Sequence, residues 1–157
     1  STSSPSSSST SVETPVETLK SYLSELLNNH NAKRALHGVS DLVWDEEVYQ
    51  YAKSFADAYS CPADGMLSHS DGSYGENLAA GFSSAASVVD AWYEEIQYYN
   101  FNNPGFSMAT GHFTQLVWAS TDKLGCAYKD CNTIYGRYVV CNYSPPGNVI
   151  GHFAANV

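Results

Sequence analysis

The hydrophobic period changes once along this chain, and that change limits the folds open to it. As far as Val117 the apolar residues recur at helical spacing, whereas after Leu124 they alternate as strands do. Leu19, Leu23, Leu26, Leu27 and His30 share one helical face and Gly38 supplies a stop after Leu36, so a first helix is expected from Val16. A second begins at Asp45, whose carboxylate can cap it while Glu46 and Glu47 sit at the positive end of the helix dipole. Val48, Tyr51, Ala52, Phe55, Ala56 and Tyr59 form its inward stripe. A third is expected from about Ser87 to Tyr98 with Val89, Trp92 and Ile96 inward, and a short fourth carries His112, Phe113, Leu116 and Val117. Tyr138 to Tyr143 and Leu124 to Lys129 then read as two strands joined across a turn near Asn132. Helices followed by antiparallel strands imply an α+β layered architecture in which helices cover a small sheet.

With 157 residues, 43% of them hydrophobic, the chain supports one core rather than two. Residues 1–15 read apart from it: STSSPSSSSTS offers nothing to bury and is expected to be a disordered tail or linker, either an O-glycosylated stalk or a bare tether. Residues 16–157 form the expected domain. The chain opens on Ser1 without an initiator Met or apolar signal region, the expectation for a processed form. Sixteen acidic against seven basic residues give a formal charge of -9, which repels phosphate backbones and makes nucleic acid an unexpected partner. No apolar run approaches the roughly 18 to 20 residues of a transmembrane segment, so lipid would be met through a pocket or a surface.

Cys61, Cys126, Cys131 and Cys141 lack the paired spacing of a zinc site, and two disulfides are the expectation, in any of three connectivities. Disulfides place the chain in an oxidising compartment. The sequon Asn142-Tyr143-Ser144 falls within an expected strand before Pro145 and is expected to carry no glycan.

Among the five histidines, His30, His37 and His152 read as structural or surface residues. His69 stands in the polar loop LSHSDGSYGEN, seven residues before Glu76, and His112 follows Gly111 at the start of GHFTQLVW. Glu95 ends WYEE on the third helix. Two imidazoles and two carboxylates suit a divalent metal, with the carboxylates orienting ligands or acting on bound water. The same four residues would equally make a hydrogen-bonded network tying loops to helices.

GHFTQLVW at 111–118 and YVVCNYSPPGNVIG at 138–151 resemble the two signatures of the CAP superfamily, the cysteine-rich secretory, antigen five and pathogenesis-related proteins. HNAKRALHG at 30–38, His69-Ser70, Tyr74 to Leu78 and Trp92 to Glu95 follow in the family's order, so the resemblance covers residues 16–157. It implies a three-layer α-β-α sandwich with a small, mainly antiparallel central sheet. It also implies a cleft tetrad of His69, Glu76, Glu95 and His112, with His69 and His112 as ligands of a divalent metal, zinc or magnesium, and no organic cofactor. Glu95 is preferred to Glu94 by its distance from Trp92. The resemblance further pairs Cys61 with Cys131 and Cys126 with Cys141.

The segment Tyr99-Asn100-Phe101-Asn102-Asn103-Pro104-Gly105-Phe106 is similar to the sterol-binding loop of yeast members, and a cysteine pair of plant members is missing beside it. Tyr99, Phe101, Pro104 and Phe106 are its expected contact residues, the rings lying over a flat steroid nucleus. The resemblance thus implies a secreted, monomeric protein, extracellular or in the cell wall, that captures and exports or carries sterols. Cholesterol, ergosterol, sterol acetates and fatty acids are the ligands it suggests. Two other functions fit the same residues: an interaction or virulence protein acting through its surface, or a metal-dependent hydrolase. With no Ser or Cys nucleophile set on His112, catalysis is not expected.

Overall fold

Proline opens the first helix, α1 (Pro15–Leu36), where its missing N–H interrupts no hydrogen bond. The computed structural model describes residues 15–59, 69–70, 72–82, 84–131 and 136–157, with side chains from Lys20 onward. Gly38, at φ +69°, ends α1 as expected, and Val39 N–H returns to the Arg34 carbonyl at 3.2 Å. Strand β1 (Val43–Trp44) leads into helix α2 (Glu46–Ala58), which Asp45 caps by accepting from Val48 N–H at 3.0 Å. Strand β2 (Gly75–Ala80) precedes helix α3 (Ala85–Tyr93), and a single 3-10 segment (Glu94–Tyr98) continues it. Helix α4 (Gly111–Val117), strands β3 (Lys123–Asp130) and β4 (Arg137–Ser144) and helix α5 (Phe153–Asn156) complete the described chain.

One expectation needs correction, and strand β2 is an addition. The third helix starts at Ala85 rather than Ser87, because Ser84 and Ser87 form a reciprocal capping box, and its α-helical part stops at Tyr93. Strand β2 escaped the sequence reading because GENLAA has neither β-branched nor aromatic residues. It is a strand because β4 offers it an edge, paired antiparallel from Gly75 with Tyr143 to Ala80 with Tyr138.

The sheet order is β1-β3-β4-β2, with β1 parallel to β3 and the other pairs antiparallel. Side chains alternate along β4, so Val139, Cys141 and Tyr143 join one core while Tyr138 and Val140 join another. The first core also holds Leu26, Val88, Trp92 and Phe113 of α1, α3 and α4; the second holds Ala52 and Ala56 of α2. This is the expected α-β-α sandwich. Helix α2 lies close because Gly125 of β3 has no side chain: a Cβ there would stand 2.2 Å from Tyr49 N. Cys126 and Cys141 are direct cross-strand partners joined by a disulfide. Cys131 is not free, but Cys61 and residues 1–14 lie outside the described residues, and with them the expected Cys61–Cys131 pair, the tail and the turn at Asn132.

Candidate functional site

Helix α4 carries His112 and is held from three sides. Arg34 is buried and donates from Nη1 to the Leu116 and Trp118 carbonyls, both at 3.0 Å, and from Nη2 to Thr121 O at 2.8 Å. These bonds satisfy one orphan carbonyl of the last turn of α4, that of its C-cap Trp118 and that of Thr121 in the loop beyond. At the other end Glu95 reaches over from the 3-10 segment, its Oε1 accepting from His112 N–H at 2.9 Å and Phe113 N–H at 3.1 Å. Its Oε2 bonds His112 Nδ1 at 2.7 Å. One carboxylate therefore caps the helix and aims the imidazole. The ring stacks on Trp92 with centroids 6.0 Å apart, and Asn77 Nδ2 holds the His112 carbonyl at 3.1 Å.

Glu76 does the same for His69 from strand β2. Its Oε1 bonds His69 Nδ1 at 2.8 Å and accepts from Ser70 N–H at 2.9 Å. Its Oε2 accepts from the Ser70 hydroxyl at 2.7 Å and Asn142 Nδ2 at 3.0 Å. The Ser70 hydroxyl in turn accepts from Tyr51 at 2.8 Å. Ser70 is thus a support of Glu76, and its hydroxyl faces a carboxylate rather than an imidazole.

Both imidazoles line one cavity of about 260 Å³, together with Glu76, Asn77, Phe106 and Asn148. A carboxylate accepts, so Nδ1 is the donor in each pair, and in a neutral imidazole so held Nε2 is the lone-pair nitrogen, with no partner among the described residues. That is the tautomer a metal ion needs, with an oriented carboxylate behind each ring. The carboxylates are committed to that orienting task. Among the described residues no group of three or more His, Cys, Asp or Glu side chains could hold a metal. At this cavity the nitrogen donors open to an ion are thus the two imidazoles, without a third His, Cys, Asp or Glu ligand among the described residues.

Loop residues 99–106 flank this cavity without sharing one environment. Tyr99 is buried, edge-on to Phe101 at 4.8 Å and packed on Phe113 at 5.7 Å, so it anchors the loop. Phe101 and Phe106 are 49% and 51% exposed. Phe106, Pro104 and Tyr99 line a second cavity of about 350 Å³. Phe106 is common to both cavities.

Asn77, Ser70, Asn142 and Asn148 were assigned no part by sequence reasoning. Asn148, at φ +57°, donates to the Gly111 carbonyl at 3.0 Å and lines the histidine cavity. Asn77 had a signal, standing next to Glu76 in a motif already singled out. Asn142 was read only as a sequon, but its buried amide holds Glu76 and the Gly75 carbonyl, which leaves no room for a glycan. His30 and His37 take structural roles, His30 buried between Leu26 O and the Tyr143 hydroxyl, each at 2.7 Å, and His37 bonded to the Tyr93 hydroxyl at 2.9 Å.

A three-layer sandwich with two imidazole–carboxylate pairs around one cavity defines a CAP domain. The chain belongs to the cysteine-rich secretory protein family, whose model matches residues 27–143. It is 49% identical over 137 residues to Protein PRY2 of Saccharomyces cerevisiae, covering 87% of this chain and 41% of that protein. It is 54% identical over 132 residues to Secreted protein RBT4 of Candida albicans, covering 83% of this chain and 36% of the relative. The chain thus spans less than half the length of these relatives. Among solved structures it is similar to NaASP2 with Zn2+, at TM-score 0.66 and 25% identity, covering 82% of this chain and 81% of that one. Schistosoma mansoni venom allergen-like protein 4 shares the fold at TM-score 0.65 and 24% identity, covering 82% and 90%.

Proposed function

We propose that this domain is a secreted, extracellular lipid binder that captures sterols and related small apolar molecules and carries or exports them. The observation that carries the reading is Phe106, a half-exposed ring on an uncharged loop that forms a wall of both the loop cavity and the histidine cavity. At about 350 Å³ the loop cavity falls in the range of roughly 300–1,000 Å³ usual for small-molecule sites. Its lining mixes the Tyr98, Tyr99 and Phe106 rings with Asn100, Asn103, Ser107 and Thr110, so it offers both apolar faces and hydrogen-bonding groups to an amphipathic small molecule. Extracellular placement is supported by the Cys126–Cys141 disulfide and by relatives named as secreted proteins.

In this reading His69 and His112 hold a divalent ion, zinc or magnesium. Such an ion supplies positive charge and a link between the loop before β2 and helix α4. A binding role is favoured over hydrolysis by the engagement of the nearby groups: Ser70 donates to Glu76, and both glutamates serve as acceptors for His, Ser, Asn and backbone donors.

Equilibrium binding of radiolabelled cholesterol and ergosterol to the purified domain tests the proposal, with and without chelator. Saturable binding that falls at least tenfold in Phe106→Ala is the expected result. Absence of saturable binding in the parent domain overturns the lipid reading. Binding unchanged by chelator and by His69→Ala with His112→Ala separates the metal from the lipid function.

A further inference from the structure

We infer that the face around Phe106 docks on the surface of a neutral, zwitterionic phospholipid bilayer, resting on the lipid-binding reading above. Two long stretches of this acidic chain, 96–121 and 138–157, contain no Asp, Glu, Lys or Arg, although the formal charge is -9. The fold brings them together. Phe106 of the first shares a cavity wall with Ile150 of the second, and other walls with Tyr98 and Met108.

On this uncharged face the large apolar side chains point outward. Met108 is 89% exposed and Ile150 76%, with Tyr98, Phe101, Phe106 and Val149 also exposed. Single exposed apolar residues mean little, but a run of them around one point marks a contact surface. Their kinds matter too: aromatic rings and flexible aliphatic chains on loops are suited to the boundary between headgroups and acyl chains.

Charge selects the occupant. An anionic surface would be repelled by the acidic remainder of the domain, and a basic protein partner would find the nearest carboxylates, Glu76 and Glu95, largely buried and already engaged by His69 and His112. A zwitterionic bilayer meets no such penalty, because the uncharged face is the one presented to it. The three cavities that Phe106 lines adjoin this face, so an apolar ligand would pass between bilayer and protein with little exposure to water.

Co-flotation with large unilamellar vesicles of pure phosphatidylcholine, and of phosphatidylcholine with one-third phosphatidylglycerol, tests the inference. The double variant Val149→Glu with Ile150→Glu is run beside the parent; both side chains are exposed and neither lines the loop cavity or the histidine cavity. The parent is expected to float with phosphatidylcholine, at least fivefold less with the anionic mixture, and the variant at least tenfold less with either. Binding of water-soluble cholesteryl sulfate, measured without vesicles, is expected to stay within twofold in the variant. Loss of that binding in the parent sinks the lipid-binding reading, whereas a parent that binds the soluble sterol but not vesicles overturns the docking face alone. Sedimentation velocity completes the test: a parent dimer that the variant converts to monomer, without vesicle binding, makes this face a contact between copies and overturns the inference.

Discussion

Glu95 and His112 stand 17 residues apart in the chain, and one carboxylate of the first takes both the ring Nδ1 at 2.7 Å and the backbone N–H at 2.9 Å of the second. The 3-10 turn after Tyr93 is what brings Glu95 there. Replacing Glu95 by Gln keeps an acceptor for the two backbone N–H groups but offers an amide N–H or a weaker acceptor to Nδ1. The imidazole then loses its fixed tautomer. Zinc affinity measured by calorimetry is expected to fall about 10- to 100-fold while the far-UV spectrum stays native. Unchanged affinity would show that Glu95 does not orient the ring.

Burial lowers the His30 imidazole to about 4, and the ring is held neutral between Leu26 O and Tyr143 O–H. In the unfolded chain it titrates near 6.5. Between those values the unfolded state binds a proton that the native state refuses, so stability is complete above about pH 6.5 and declines as pH falls toward 4. The loss is on the order of 3 kcal/mol. Urea denaturation at several pH values is expected to show this slope in the parent, and a much flatter one in His30→Asn. An equal slope in both would assign the effect to another group.

Tyr99 and Phe106 belong to one loop and are expected to respond oppositely. Tyr99 is buried against Phe113, so Tyr99→Ala should cost about 3 kcal/mol in denaturant unfolding. Phe106 is half exposed, so Phe106→Ala should stay within about 1 kcal/mol of the parent while sterol binding is lost. Equal stability losses would contradict this division of the loop into an anchor and a contact ring.

At Gly125 the prediction is steric. An added Cβ would stand 2.2 Å from Tyr49 N and 2.5 Å from Val48 C, both backbone atoms of α2. Helix α2 must then move away from the sheet, and Gly125→Ala is expected to destabilise by about 3 kcal/mol. A shift of the unfolding midpoint measures it; a neutral substitution would mean the helix slides at no cost.

Much of the layering was legible because it follows from local pattern. The stripe of α2, the cap at Asp45, the stop at Gly38 and the alternation in β4 each depend on residues within a turn or two of one another. Strand β2 was not legible, since nothing in GENLAA favours extension until β4 lies beside it. Nor was the break in the third helix, which α4 rewards by placing its N-terminal amides within reach of Glu95.

The same boundary divides the site. By itself the sequence determined the four principal helices and the β3–β4 pair, the family signatures and the residue types available for metal and lipid chemistry, because those are properties of neighbours along the chain. Only the tertiary structure decided that Glu76 and Glu95 orient the imidazoles, that Asn77 and Asn142 support them, and that Tyr99 turns inward while Phe106 turns out. Those outcomes rest on contacts across loops and layers, where a carboxylate is satisfied by whichever donors the packed chain brings to it.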